Sequence, residues 1–427
     1  MPERLLQAVV VGGSIAGVLA AAALAPRFAR VLVLEQDAAA DDRTSVPQRE
    51  FIHVLLRGGA EAIEELLPGF AEECRTREKA RTLTTTKDVR FNLLGFDFAR
   101  GDSEVTSMNL SRASIERALR ARLLAVHPNV EVRWGCRVTS VDADSKAVAW
   151  EQRGASAPSS SLVADFIVVA TGRNFSRLVD PWVASSAETT INLAYACLAY
   201  ECERENEVLD MVIAPHPERP RGAITQRLDG KRALVHLVGY HGDAPTGVRT
   251  LADFERWSGD VPDLVRYLRD AKATPAWDAP RVHAFPKIVR RYFKPLSGVV
   301  VMGDAACSVD PAFAQGVTKA AIEARALKAA FRSRGWAKQA DLSFASDIPH
   351  MLTSTEAFRF PQAKGFAPPA VGMAHALSRA LFFVCSKDAK VAAAFNRVFQ
   401  LVRTPMHLVA YLPRIIVVFV LGKLGVV

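Results

Sequence analysis

The stretch that most constrains the fold lies at the N-terminus. Gln7-Ala8-Val9-Val10-Val11 reads as a buried parallel strand. Gly12-Gly13-Ser14-Ile15-Ala16-Gly17 reads as the turn into a helix through Ala25, and Val31-Leu32-Val33-Leu34 as a second strand ending in Glu35. Strand, small-residue turn, helix, strand and terminal acid, in that order, describe the first βαβ unit of a dinucleotide-binding domain. Small residues let backbone N–H groups approach a pyrophosphate at the helix N-terminus, and the acid accepts hydrogen bonds from ribose hydroxyls. Ser14 stands where a middle glycine is usual, which narrows the approach there. Met1 to Ala25 also fits a signal peptide, with Arg4, an apolar run and Ala23-Leu24-Ala25 as a cleavage site. The second strand and its acid favour the nucleotide reading.

Two later segments belong with the first. Ala164-Asp165-Phe166-Ile167-Val168-Val169-Ala170-Thr171-Gly172-Arg173 is an apolar strand preceded by aspartate and closed by Thr-Gly-Arg. Val299 to Met302 is another apolar strand, ending in Gly303-Asp304. A short loop with Pro311 and Gly316 leads from it into an alanine-rich helix, expected from about Val317 to Ala330. Asp304 can accept from sugar-type hydroxyls. Backbone N–H groups around Gly316 and Val317 can stabilise negative charge building on an electron-poor ring.

With these motifs the chain resembles the FAD-dependent monooxygenases of the p-hydroxybenzoate hydroxylase superfamily. The match rests on Gly12-x-Ser14-x-x-Gly17, Asp165 through Gly172, and Gly303-Asp304 with Pro311 and Gly316. A further segment, Arg43-x-x-Val46-Pro47-Gln48-x-x-x-x-His53-x-Leu55-x-x-Gly58-Gly59, is similar to the bacterial subgroup of flavin epoxidases and secondary-metabolite oxygenases. That subgroup often has His-x-His here, whereas Phe51-Ile52-His53 keeps only the second histidine. The resemblance implies an FAD site built from Gly12, Gly13, Ser14, Gly17, Glu35, Arg43, Arg112, Val138, Asp304, Pro311, Gly316 and Val317. Arg43 would lie near the flavin, and His53 would orient substrate or relay a proton, a structural histidine being the alternative. NADPH or NADH would dock transiently as electron donor. Reduced FAD and O2 would form a C4a-hydroperoxide that transfers one oxygen atom to a hydrophobic natural product, by alkene epoxidation or by aromatic-ring hydroxylation. No side-chain nucleophile is then required.

The expected fold class is α/β. A Rossmann-like FAD-binding domain (residues 1–75, 109–185 and 287–345) is interleaved with a mostly antiparallel β-sheet substrate domain (76–108 and 186–286), and a C-terminal helical region follows (346–427). Strands are expected over Val130 to Val141, Asn192 to Glu203, Val208 to Ala214, Gly222 to Gln226 and Ala233 to Tyr240, with a hairpin-like turn at Ser156 to Ser161. By alternation alone, Tyr195, Cys197, His236 and Tyr240 are candidate pocket positions, but each reads more readily as an ordinary core or surface residue, and none is assigned to the site.

Six cysteines show neither a Cys-x-x-Cys pair nor a zinc spacing, which predicts reduced, buried thiols in a cytoplasmic protein and no metal site. The net charge of +9 comes without a nucleic-acid motif. Cofactor phosphates or an anionic membrane surface account for it. From Arg379 onward there are seven Lys or Arg and one acid, Asp388, and Leu408 to Val427 is strongly apolar. Two readings fit this tail: an amphipathic segment resting on the inner face of a membrane, or a helix packed on the protein's own core or in a homodimer. A tryptophan-type halogenase would carry Trp-x-Trp-x-Ile-Pro, which is absent. An isoprenoid-chain reductase and a non-catalytic flavin-binding subunit are the remaining alternatives.

Overall fold

The computed structural model describes residues 5–39, 51–153, 160–203, 210–229 and 231–423. Arg43, the Val46-Pro47-Gln48 motif and most of the Ser156 to Ser161 turn lie outside the described residues.

Five short apolar strands form a parallel sheet in the order Val299–Val301, Phe166–Val169, Leu5–Val11, Phe28–Leu34, Val130–Arg133. Near-continuous Val, Ile and Leu suit strands covered on both faces. One face packs against the helices Ile15–Leu24 and Gly316–Arg334, and the other against a small antiparallel sheet carrying Val148 and Trp150. The Asp165 carboxylate accepts from the backbone N–H groups of Leu6 and Gln7, both at 2.9 Å. This motif residue therefore pins the start of its strand to the start of the first one, at the sheet end away from the Gly12 turn.

The second large sheet is ten-stranded and mostly antiparallel. Its spine is Val183–Cys202, paired on one side with Arg232–Tyr240 and on the other with Arg281–Phe293. Two expectations from the sequence need correction. The strand expected from Asn192 begins nine residues earlier, at Val183, and is interrupted by an irregularity between Thr190 and Leu193, where Asn192 adopts φ +43°. The run expected over Val130 to Val141 is two strands, Val130–Arg133 and Cys136–Asp142, because Gly135 at φ +70° turns the chain out of the parallel sheet.

The C-terminal part folds as the helices Gln339–Ala357, Val371–Lys387, Ala389–Phe399 and Leu412–Lys423. Pro361 and Pro368-Pro369 lie between helices and Pro413 sits in the first turn of the last one, whereas Pro349 lies inside Gln339–Ala357 and the break at Asp388 involves no proline. Among the described residues no helix is long and apolar enough to cross a membrane.

Candidate active site

The three motif strands deliver their C-terminal ends to one long cavity, which encloses ≈ 2320 Å³ of unfilled space, counting the part open to solvent. Gly12, Ser14, Glu35, His53, Arg112, Val138, Asp304, Pro311, Gly316 and Val317 all line it. Gly13 and Gly17 do not. The Gly13 N–H donates to Glu35 Oε2 at 2.7 Å, and Glu35 Oε1 accepts from the Asp37 N–H at 3.0 Å, so the acid is held by the turn it serves. Gly17 is inside the first helix, where a Cβ would stand 1.7 Å from the Gly12 carbonyl oxygen. Its smallness lets the helix start against the strand. Gly12 adopts φ +102°, and a Cβ there would stand 2.6 Å from the Ala170 carbonyl oxygen.

At this end of the cavity Arg112 reaches the turn. Ser111 caps the helix Arg112–Val126 by accepting from the Ser114 N–H. Arg112 Nη2 donates to Ser14 Oγ at 3.0 Å, and Ser14 Oγ donates to Glu116 Oε1 at 2.9 Å. The serine that replaces the usual glycine thus has a partner of its own.

Midway, Asp304 sits on a single 3-10 turn, Gly303–Ala305. The buried Glu323 anchors that turn. Its Oε2 accepts from the Gly303 N–H at 2.7 Å, and its Oε1 from Ser346 Oγ at 2.7 Å and Lys319 Nζ at 3.2 Å. Burial works against the Lys319 charge, but Glu323, Cys307 and Asp304 outweigh it and raise its pKa. Opposite, the helix Gly316–Arg334 begins without a side-chain cap, and nothing stands within 4 Å of where a Gly316 Cβ would be. Its first residues, Gly316 and Val317, line the cavity, so the helix N-terminus offers it an anion site.

The inner end is an aromatic wall on one face of the large sheet. Tyr195, His236, His283 and Phe285 stand on neighbouring strands, with Phe51 packed against both histidines at 5.3 and 5.9 Å between ring centres. Arg173 lies 3.9 Å from the centre of the Phe285 ring. Its Nη1, the Tyr195 hydroxyl and Thr171 Oγ1 are buried without a hydrogen-bond partner. Buried polar atoms left this way are ones that water or a bound molecule can satisfy. Tyr195 and His236 were visible by strand alternation. Arg173 closes the Thr-Gly-Arg motif but carries no site signal of its own in the sequence, and neither do His283 and Phe285, since Arg281–Phe293 lacks a regular alternation. Cys197 and Tyr240 do not line the cavity; the Tyr240 hydroxyl donates to Asp310 Oδ2 at 2.8 Å instead.

His53 and His236 are neutral near pH 7. Burial, then the Arg112 charge, lowers His53 to about 4, and burial, then His53, lowers His236 to about 3. His53 Nδ1 donates to the Phe51 carbonyl at 2.9 Å, which leaves Nε2 as acceptor, while His236 Nε2 accepts from the Ile52 N–H at 3.2 Å. Burial dominates in raising Asp310 and Asp210 to about 6. An unfolded histidine takes its proton near 6.5, so the histidines contribute stability above that pH, lost as pH falls towards about 4 and 3. The two aspartates act oppositely, their stability being present below 3.8 and lost as pH rises through about 6. The histidine displacements are the larger, so the thermal midpoint is expected to fall as pH is lowered from 6.5 to about 4. A midpoint that holds or climbs over that range would contradict these assignments.

No protein-family model matches the chain. Protein Rv3254 of Mycobacterium tuberculosis is 26% identical over 366 residues, spanning 79% of this chain and 75% of that one. Among solved structures, the tetrameric form of 2-methyl-3-hydroxypyridine-5-carboxylic acid oxygenase superposes with a TM-score of 0.63 at 17% identity, over 94% of this chain and 99% of that one. The flavin-dependent brominase Bmp2 gives 0.62 at 16%, over 96% and 92%. A flavoprotein/dehydrogenase from Cytophaga hutchinsonii gives 0.64 at 15%, over 93% of each. The fold expected from the sequence, a Rossmann-like parallel sheet joined to antiparallel sheets and C-terminal helices, is the fold these proteins share.

Proposed function

We propose that the chain is an FAD-dependent monooxygenase. It would take two electrons from NADPH or NADH, place one atom of O2 in a hydrophobic small molecule and release the other as water. The observation that carries this reading is the single cavity in which the Gly12 turn, Asp304 and the open N-terminus of Gly316–Arg334 meet and run on into the aromatic wall. FAD fits the residues present. The Gly12 backbone and Arg112 would hold its pyrophosphate, Glu35 its ribose, Val138 would neighbour the adenine, and Asp304 would accept from its ribityl hydroxyls. Bound there, FAD supplies the activation of O2.

The chain's own residues would do the rest. The N–H groups at Gly316 and Val317 would stabilise negative charge on the ring. Phe51, Phe285 and Tyr195 would exclude water and orient a flat or unsaturated substrate. His53, neutral with Nε2 as acceptor, would position substrate or take a proton; Arg43 is assigned to the flavin by resemblance alone. Homo-oligomerisation is part of the same reading.

Alkene epoxidation is the finer reading suggested by the Arg43 to Gly59 segment. Ring hydroxylation is the second reading, and a specific observation favours it. The Tyr195 hydroxyl is unpartnered, and burial, then the nearby Asp310, pushes its pKa well above that of a free phenol, so it stays a donor. With Arg173 it could hold the oxygen of a phenol or enol. Mass spectrometry of products made with labelled dioxygen from polyenes, prenylated aromatics and phenols separates the two. A labelled epoxide supports the first and a labelled ring hydroxyl the second; reductant consumption without oxygen incorporation refutes both. Asp304→Ala should weaken FAD binding at least about tenfold, as lost hydrogen bonds to a charged acceptor do. An unchanged flavin content per chain would dismiss the ribityl assignment.

A further inference from the structure

The last helix presents an apolar face that stays exposed among the described residues. Leu412–Lys423 docks through the buried Ile415 and the half-buried Val418, the latter packed with the Phe98, Phe382 and Cys385 cluster. Leu412, Ile416 and Val420 recur every four residues on its outer side, beside Val417 at 58% exposure. The preceding 3-10 segment Pro405–Tyr411 continues this surface with Val409 and with Met406, which is 72% exposed. Six large apolar side chains in one stretch form a patch of the kind that soluble surfaces rarely leave bare.

Its surroundings are cationic. Lys387, Lys390, Arg403 and Arg414 are exposed around this segment. The Arg414 bond to Asp388 places the Lys387–Lys390 turn beside the last helix. Asp388 is thereby neutralised, and Glu104 on the other side is paired with Arg397. The described part of the last helix has 12 residues, about 18 Å of rise against a hydrocarbon core of about 30 Å, a length that suits lying along a bilayer.

We propose that this face, from Met406 to Val420, seats the protein on an anionic lipid surface, with the apolar side chains at the acyl boundary and the basic rim on the headgroups. Charge decides between lipid and a second copy. Two copies meeting through this face would bring two basic rims together, whereas anionic headgroups complement one. Docking there would let a hydrophobic substrate reach the protein without crossing water, although the binding claim stands apart from the proposed chemistry.

The test is co-sedimentation of the full chain as purified with vesicles of phosphatidylcholine, with and without phosphatidylglycerol. Binding to the anionic vesicles is expected, weaker by at least about tenfold without phosphatidylglycerol and reduced by added salt. Ile416→Glu with Val420→Glu should abolish it while leaving flavin content and far-ultraviolet circular dichroism unchanged. The exposed triple change Lys387→Ser, Lys390→Ser and Arg403→Ser leaves the helix's apolar face intact and gives an independent arm, expected to lower binding to the anionic vesicles and blunt its salt response. No sedimentation of the parent chain, or equal sedimentation of parent and both variants, overturns the proposal. So does a parent dimer that the glutamate pair dissociates with no lipid binding in either form, since a second copy would then be the occupant.

Discussion

Gly12→Val is expected to yield protein without its flavin. The Gly12 backbone is at φ +102°, a region side chains with a branched Cβ avoid, and that Cβ would stand 2.6 Å from the Ala170 carbonyl oxygen. Neither obstacle is a flexible side-chain end that could swing aside. Both are backbone, and they belong to the two strands whose ends form the cavity mouth. The turn would have to open, at a strain of about 1–3 kcal/mol, and the backbone proposed to hold the pyrophosphate would be displaced. A loss of affinity of at least about a hundredfold follows, on the order of 2.7 kcal/mol. Visible absorbance per chain after purification and a titration with added FAD measure it. If the valine variant retains a full complement of flavin, the turn does not hold the pyrophosphate.

Glu323→Ala carries the second large effect, and it acts on stability as well as on the site. Lys319 is fully buried, and its ammonium faces the Glu323 carboxylate at 3.2 Å. Removing the carboxylate strands that charge and also takes the acceptor from the Gly303 N–H and from Ser346 Oγ. Breaking one half of a buried pair costs about 3–5 kcal/mol. Urea unfolding should register the loss. Glu323→Gln, which keeps an oxygen for Gly303, should recover part of it. Since the Gly303 N–H starts the turn bearing Asp304, flavin should also dissociate faster from the alanine variant. A variant as stable as the parent would mean that the pair is neutral, and that Ser346 and the backbone suffice.

How far the sequence speaks for this site depends on the residue. Gly12, Glu35, Asp304 and Gly316 could be read because each stands at the end of an apolar run. The strand or helix there fixes where the backbone points, and the chemistry follows from residue type. The wall is different. Tyr195 and His236 alternate like any strand residues, and nothing local tells which sheet face meets the cavity. His283 comes beside Tyr195 only through pairing between strands almost ninety residues apart. The unpartnered state of Arg173 Nη1 is likewise a property of the assembled pocket. Glu323 looked like an ordinary charged residue of an alanine-rich helix. Its burial depends on Ser346 from the next helix and on the turn ahead. The Asn192 kink and the break at Gly135 were hidden for a similar reason: hydrophobic spacing reports that a strand exists, not where it bends.

The order of strands in the parallel sheet has one more consequence. Its edge strand, Val299–Val301, is also the one that carries the Asp304 turn, and it can join only after everything between it and Phe166–Val169 has been made. During synthesis on a ribosome, the nascent N-terminal half therefore emerges with its Gly12 turn made but its flank unzipped. A chain released early should be a sticky, cofactor-free fragment rather than a small working module.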